Sequence, residues 1–157
     1  MADIVNTLKQ QFSQANWLNR ILYINVGVFV VFIILNAILG LAGVPIERFS
    51  LEYLAIPSDT FKLITRPWTL FTYMFFHQGF GHIFFNMLIL FFTGRIFMDF
   101  LGDKRILPVY VLGGLAGGIL FVILYNISPV IEAGAPMIGA SAGVMAILVA
   151  VATKVPN

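Results

Sequence analysis

The chain has 157 residues, 60% of them hydrophobic and only 10% charged, with a mean hydropathy of +0.96 and a formal net charge of +2. Soluble domains carry roughly 25% charged residues, so a water-facing surface is hard to build here and an all-α membrane protein is expected. The small charge without a basic block gives nucleic-acid binding no support, and the absence of cysteine excludes disulfides, thiolate metal sites and cysteine nucleophiles.

Residues 1–20 place Ile4, Val5, Leu8, Phe12 and Ala15 at helical spacing among polar residues. They are expected to form an amphipathic interfacial helix, with Trp17 at the membrane boundary. A transmembrane domain over 21–157 follows. Spanning a bilayer takes about 20 mostly apolar residues. Residues 21–43 supply 23 without a charge, too long for a signal peptide and with a weak cleavage site at Leu41-Ala42-Gly43. The next 38 residues, 44–81, are too long for an idle connector and too apolar for free solvent. Within them, Thr65-Arg66-Pro67 resembles a helix start, and 68–76 reads as one short helix lying in the outer interface or dipping into it.

Further spanning segments are expected at 82–101, at 106–125 and, shorter, at 137–153. The third carries two overlapping small-residue pairs, Gly113/Gly117 and Gly114/Gly118, of the kind that let helix backbones pack closely. Their use inside the bundle is the expected one, with a dimer face as the alternative. Lys9, Arg20, Arg95, Lys104, Arg105 and Lys154 fall on one side of this topology and Arg48, Lys62 and Arg66 on the other. The short loop 126–136 has Glu132 and no basic residue. The bias favours an inside N-terminus.

The polar residues with chemical potential are few. Gly139-Ala140-Ser141-Ala142-Gly143 opens the last apolar segment, and His82 and Asn86 lie one turn apart at the start of the second. Both segments run from outside to inside, so the three side chains reach similar depth whichever way the protein is oriented. Taken alone, the pentapeptide reads more readily as a small-residue packing face, with Ser141 bonded to a backbone carbonyl. The G-x-S-x-G elbow of soluble hydrolases needs a strand that is not evident here. Polar groups at membrane depth are often functional, and the combination favours serine hydrolysis within a bilayer.

These residues, in order and spacing, resemble the rhomboid family of intramembrane serine proteases. The resemblance runs from Arg66-Pro67-Trp68-Thr69-Leu70-Phe71-Thr72-Tyr73-Met74-Phe75-Phe76-His77 through Gly81-His82-Ile83-Phe84-Phe85-Asn86, Gly94-Arg95 and Phe100-Leu101-Gly102 to the serine pentapeptide. It implies the first four transmembrane helices of a six-helix bundle with a long interfacial loop after the first. It also implies a Ser–His dyad, no cofactor or metal, and transmembrane proteins as substrates. Ser141 would be the nucleophile; His82, Asn86 and the Ser141 N–H would form the oxyanion hole; Gly139 would allow close backbone approach at the serine. Two positions depart from the family: Thr69 stands where an Arg often follows the loop Trp, and Met98 where a Glu is common.

The family's base is a histidine on the sixth helix. Only His77 and His82 occur here, both before Ser141. The sequence is therefore expected to be a piece of a longer protease. Its compact, signal-anchored layout suggests a bacterial plasma membrane, with an organelle as the alternative. The alternatives are an inactive rhomboid-like protein that binds transmembrane helices, and a His77–Ser141 dyad, which geometry must decide. A transporter is disfavoured, because the helix centres lack acids and bases.

Overall fold

The computed structural model describes residues 2–44, 46–128 and 136–154. Residues 129–135, including Glu132 of the expected outer loop, lie outside them. Helix α1, Ala2–Gln14, exposes Ile4, Val5, Leu8 and Phe12. Helix α2, Trp17–Leu41, starts earlier than the apolar run. Asn16 caps it by accepting the Asn19 N–H at 2.9 Å, and the Trp17 N–H donates to Asp103 Oδ1 at 2.7 Å. Both bonds satisfy N–H groups that a helix start leaves without partners.

The long connection folds into α3 (Ile46–Tyr53), α4 (Thr60–Thr65), α5 (Thr69–Thr72) and a 3₁₀ turn over Tyr73–Phe75. Thr65-Arg66-Pro67 ends α4 and at once opens the next helical turn, the Arg66 and Pro67 carbonyls accepting the Thr69 and Leu70 N–H groups at 3.0 and 3.2 Å. Asp59 caps that helix, and the Arg66 N–H closes it on Lys62 and Leu63. A residue before proline is disfavoured in helical conformation, and Arg66 accordingly leaves it at φ −133° and ψ 56°. The expected single helix at 68–76 is split in two, with one side turned into the bundle and Trp68 and Phe71 half-exposed on the other. Thr69, Tyr73 and Met74 are buried, Met74 packs on Gly114, and the Tyr73 hydroxyl donates to the Gly114 carbonyl at 2.6 Å.

Local bonds anchor this connection. Arg66 donates to the Glu52 carbonyl, lies 3.3 Å from its carboxylate and stacks over Tyr53 at 4.3 Å. Trp68 Nε1 donates to the Tyr53 carbonyl and Thr72 Oγ1 to the Leu54 carbonyl, both at 2.8 Å. Thr69, fully buried, turns its hydroxyl onto the Arg66 carbonyl at 2.7 Å.

Helix α6, Phe80–Leu101, ends at Gly102, whose φ of +82° suits glycine. A 3₁₀ turn, Asp103–Arg105, leads into α7, Ile106–Ile127. Helices α2, α6 and α7 are each long and apolar enough to cross a membrane, and the protein is a multi-pass, all-α membrane protein. The last helix, α8, covers only Ser141–Ala152. Twelve residues rise about 18 Å, short of a hydrocarbon core of about 30 Å. The expected segment 137–153 is therefore not helical throughout. Met137 instead pairs with Ile56 in a two-bond antiparallel bridge, both bonds 3.0 Å.

Helix α8 packs against α7 and α6 at close range. A side chain at Gly113 would strike Ala146, and one at Gly117 would come within 2.5 Å of the Ala142 Cβ. Gly143 lies under Tyr110, where an added Cβ would meet the ring and the carbonyl at 2.8 Å. The small-residue faces are thus filled within the bundle: Gly114 receives Met74 and Gly118 receives Ile56. One buried polar chain crosses it. Asn25 donates to the Tyr110 hydroxyl at 3.3 Å, and that hydroxyl donates to the Met74 carbonyl at 3.3 Å.

Candidate active site

Residues 137–140 turn the chain into α8 and hold Ser141 at its first position. Beyond the Ile56–Met137 pair, the Gly139 N–H donates to the Tyr73 carbonyl at 2.9 Å, and the Ala140 N–H donates to His77 Nε2 at 3.3 Å. The N–H groups of the two buried residues of this turn, Gly139 and Ala140, thus both reach the 73–77 segment, as buried N–H groups require. Gly139 adopts φ +123°, a region closed to L side chains without strain. The same position has no room for one: an added Cβ would lie 2.6 Å from His82 Nε2 and 2.7 Å from Cε1.

The structure therefore brings His82, Gly139 and Ser141 to one place. The His82 ring, half-buried on α6, lies directly on the glycine two residues before the serine. Ser141 is exposed, and among the described residues its hydroxyl has no hydrogen-bond partner. It is not the carbonyl-bonded packing serine that the pentapeptide alone allowed. The N–H groups of the first turn of α8 have no intrahelical acceptor and sit at the positive end of the helix dipole. Asn86, buried one turn along α6, donates one amide N–H to the His82 carbonyl at 2.8 Å.

His77 is the residue whose part the sequence concealed. It is buried, and its ring meets that of His82 edge-on with centroids 5.1 Å apart. Because Nε2 accepts the Ala140 N–H, the ring is neutral with its proton on Nδ1, and Nε2 is not open to take a proton from Ser141. The only prior signal was its place in the loop motif, five residues before His82. Among the described residues, no three His, Asp or Glu side chains converge as metal ligands would.

Burial pulls the His77 imidazole down from 6.5 to about 4, with neighbouring His82 adding to the effect and the Phe75 carbonyl opposing it. The unfolded chain takes up this proton near pH 6.5, whereas the native state stays neutral until about pH 4. Stability contributed by neutral His77 is thus complete above about 6.5 and is lost progressively as the pH falls towards 4. His82 is the titratable group facing it. Thermal midpoints in detergent should fall across that window for the native protein and less steeply for His77→Gln. Parallel curves would contradict the assignment.

The Rhomboid domain matches residues 65–157, more than half of the chain. The protein belongs to the rhomboid family. Among curated rhomboid relatives, RHOMBOID-like protein 12, mitochondrial, of Arabidopsis thaliana is 32% identical over 99 residues, which cover 63% of this chain and 26% of the relative. Inactive RHOMBOID-like protein 8 of the same plant is 28% identical over 107 residues, covering 66% and 28%. The rhomboid chain described here thus spans about a quarter of each relative.

Proposed function

We propose that this rhomboid is an intramembrane serine endopeptidase that cleaves transmembrane segments of membrane proteins. In this reading, the chain supplies the nucleophile and the oxyanion hole. The observation that carries it is an exposed, unbonded serine at the start of α8, beside a glycine at φ +123° against which His82 is packed. Ser141 Oγ attacks the scissile carbonyl, its proton passing to a base. The oxyanion is held by the Ser141 N–H, His82 and the amide N–H that Asn86 does not give to the His82 carbonyl. Collapse breaks the C–N bond as the base protonates the leaving amine, and water then hydrolyses the acyl-enzyme. The base comes from outside these residues, because His77 Nε2 is already bonded and His82 serves as a donor. Gly139 gives the backbone its turn at the serine, residues 1–20 make up an amphipathic interfacial N-terminus with α1 as its helix, and 21–157 belong to the transmembrane domain. The basic residues support an inside N-terminus. The compact layout suggests a bacterial plasma membrane, to which the plant relatives, one of them named mitochondrial, lend no support.

A serine-directed fluorophosphonate tests the reading directly. The full-length protein should be labelled at Ser141 and should cleave a model transmembrane substrate. His82→Ala and Asn86→Ala should each lower kcat by roughly 10²–10³ with KM little changed, the cost of losing an oxyanion donor. Similarity to a relative named inactive favours a second reading, a non-cleaving protein that binds transmembrane helices. Substrate capture with neither labelling nor cleavage would select it.

A further inference from the structure

The bonds that hold the serine turn differ in kind. Met137 and Gly139 are tied by main-chain groups of Ile56 and Tyr73, which side-chain chemistry cannot alter. The Ala140 N–H, on the residue immediately before Ser141, is held instead by a side chain, through His77 Nε2 at 3.3 Å. Ala140 is fully buried, so without that acceptor its N–H would have no partner. The His77 ring also meets the edge of His82, which lies on Gly139. One neutral imidazole thus touches both sides of the site: the backbone entering the nucleophile and the ring opposite it.

We infer that His77 is a positioning residue for Ser141, acting as an acceptor that orients the Ala140–Ser141 peptide and buttresses His82 without touching the substrate. The inference rests on the protease reading above. Its chemical content is that the position needs an acceptor at the reach of Nε2, not a base, an acid or a positive charge. Gln carries its carbonyl oxygen to about that reach. Asn is too short and ends near the place of Nδ1. Phe keeps the ring and removes the acceptor.

In the full-length protein, His77→Asn and His77→Phe should lower kcat for a transmembrane substrate roughly 10²-fold, the scale of a misplacement of about 1 Å, with KM within about twofold. His77→Gln should recover most of that loss. A merely structural role would lower the amount of folded enzyme and leave the kcat of the folded fraction unchanged. The Ala140 amide gives a second readout that needs no activity. Its ¹⁵N signal should couple through the hydrogen bond to the imidazole nitrogen in the native protein and lose that coupling in all three variants. The neighbouring Ser141 amide should shift in His77→Asn and His77→Phe but stay near its native position in His77→Gln. Native kcat in a folded His77→Asn or His77→Phe variant overturns the inference, as does His77→Gln performing no better than they do. If the native full-length protein neither labels nor cleaves, the protease reading fails instead. The two amide signals then decide whether His77 orders the turn.

Discussion

Ser141→Ala in the full-length protein should abolish cleavage, with kcat lowered by roughly 10⁴-fold or more, while expression and thermal midpoint stay native. Both halves follow from the placement of the residue. Ser141 is exposed, its hydroxyl has no partner among the described residues, and it occupies the first helical position of α8. Alanine is the best helix former, so little stability is lost there. The main-chain bonds of Met137, Gly139 and Ala140 do not involve the side chain of Ser141. A serine whose hydroxyl does no structural work, at a turn held from two separate segments, is what a nucleophile requires. Wild-type cleavage by the folded variant would end the protease reading, and loss of folding would mean that the hydroxyl is structural after all.

Gly139→Ala should be the most damaging small substitution in the site, because it offends twice. At φ +123° an L side chain is strained, at a cost of order 1–3 kcal/mol. The new methyl would also lie 2.6 Å from His82 Nε2, and an imidazole held between Gly139 and His77 has little room to retreat. Activity should fall at least 10²-fold, as expected when an oxyanion donor is displaced. The thermal midpoint should fall by several degrees. Pairing Gly139→Ala with His82→Ala separates the two causes. The double variant should recover much of the lost stability, since the clash is gone, but none of the activity. Purely additive losses would show that backbone strain alone accounts for the effect.

Composition was enough for the membrane class, because 60% hydrophobic residues leave no other solvent for the chain. The long segments were legible for the same reason, and α2, α6 and α7 lie where uninterrupted apolar runs place them. The middle connection was not. Its apolar residues are spaced by tertiary packing rather than by any one period. Thr65-Arg66-Pro67 opens a helical turn as read but also ends α4, and from the stretch after it Tyr73 and Met74 turn inward onto the glycine face of α7. The fourth segment misled in the opposite way. Met137 and Ile138 are as apolar as the helix that follows, but pairing with Ile56 keeps this stretch extended.

At the candidate site, the residue types and the common depth of His82 and Ser141 were readable from chain order and from the parity of the segments. By itself the sequence determined the class of fold, the three long apolar helices, and a short roster of polar groups, since each follows from local composition and spacing. Only the tertiary structure decided that Gly139 is the place where two elements touch, and that His77 answers a backbone N–H 63 residues away. Those facts depend on which unsatisfied donor lies near which acceptor once α6, α7 and α8 are packed, and no local pattern in the chain encodes them.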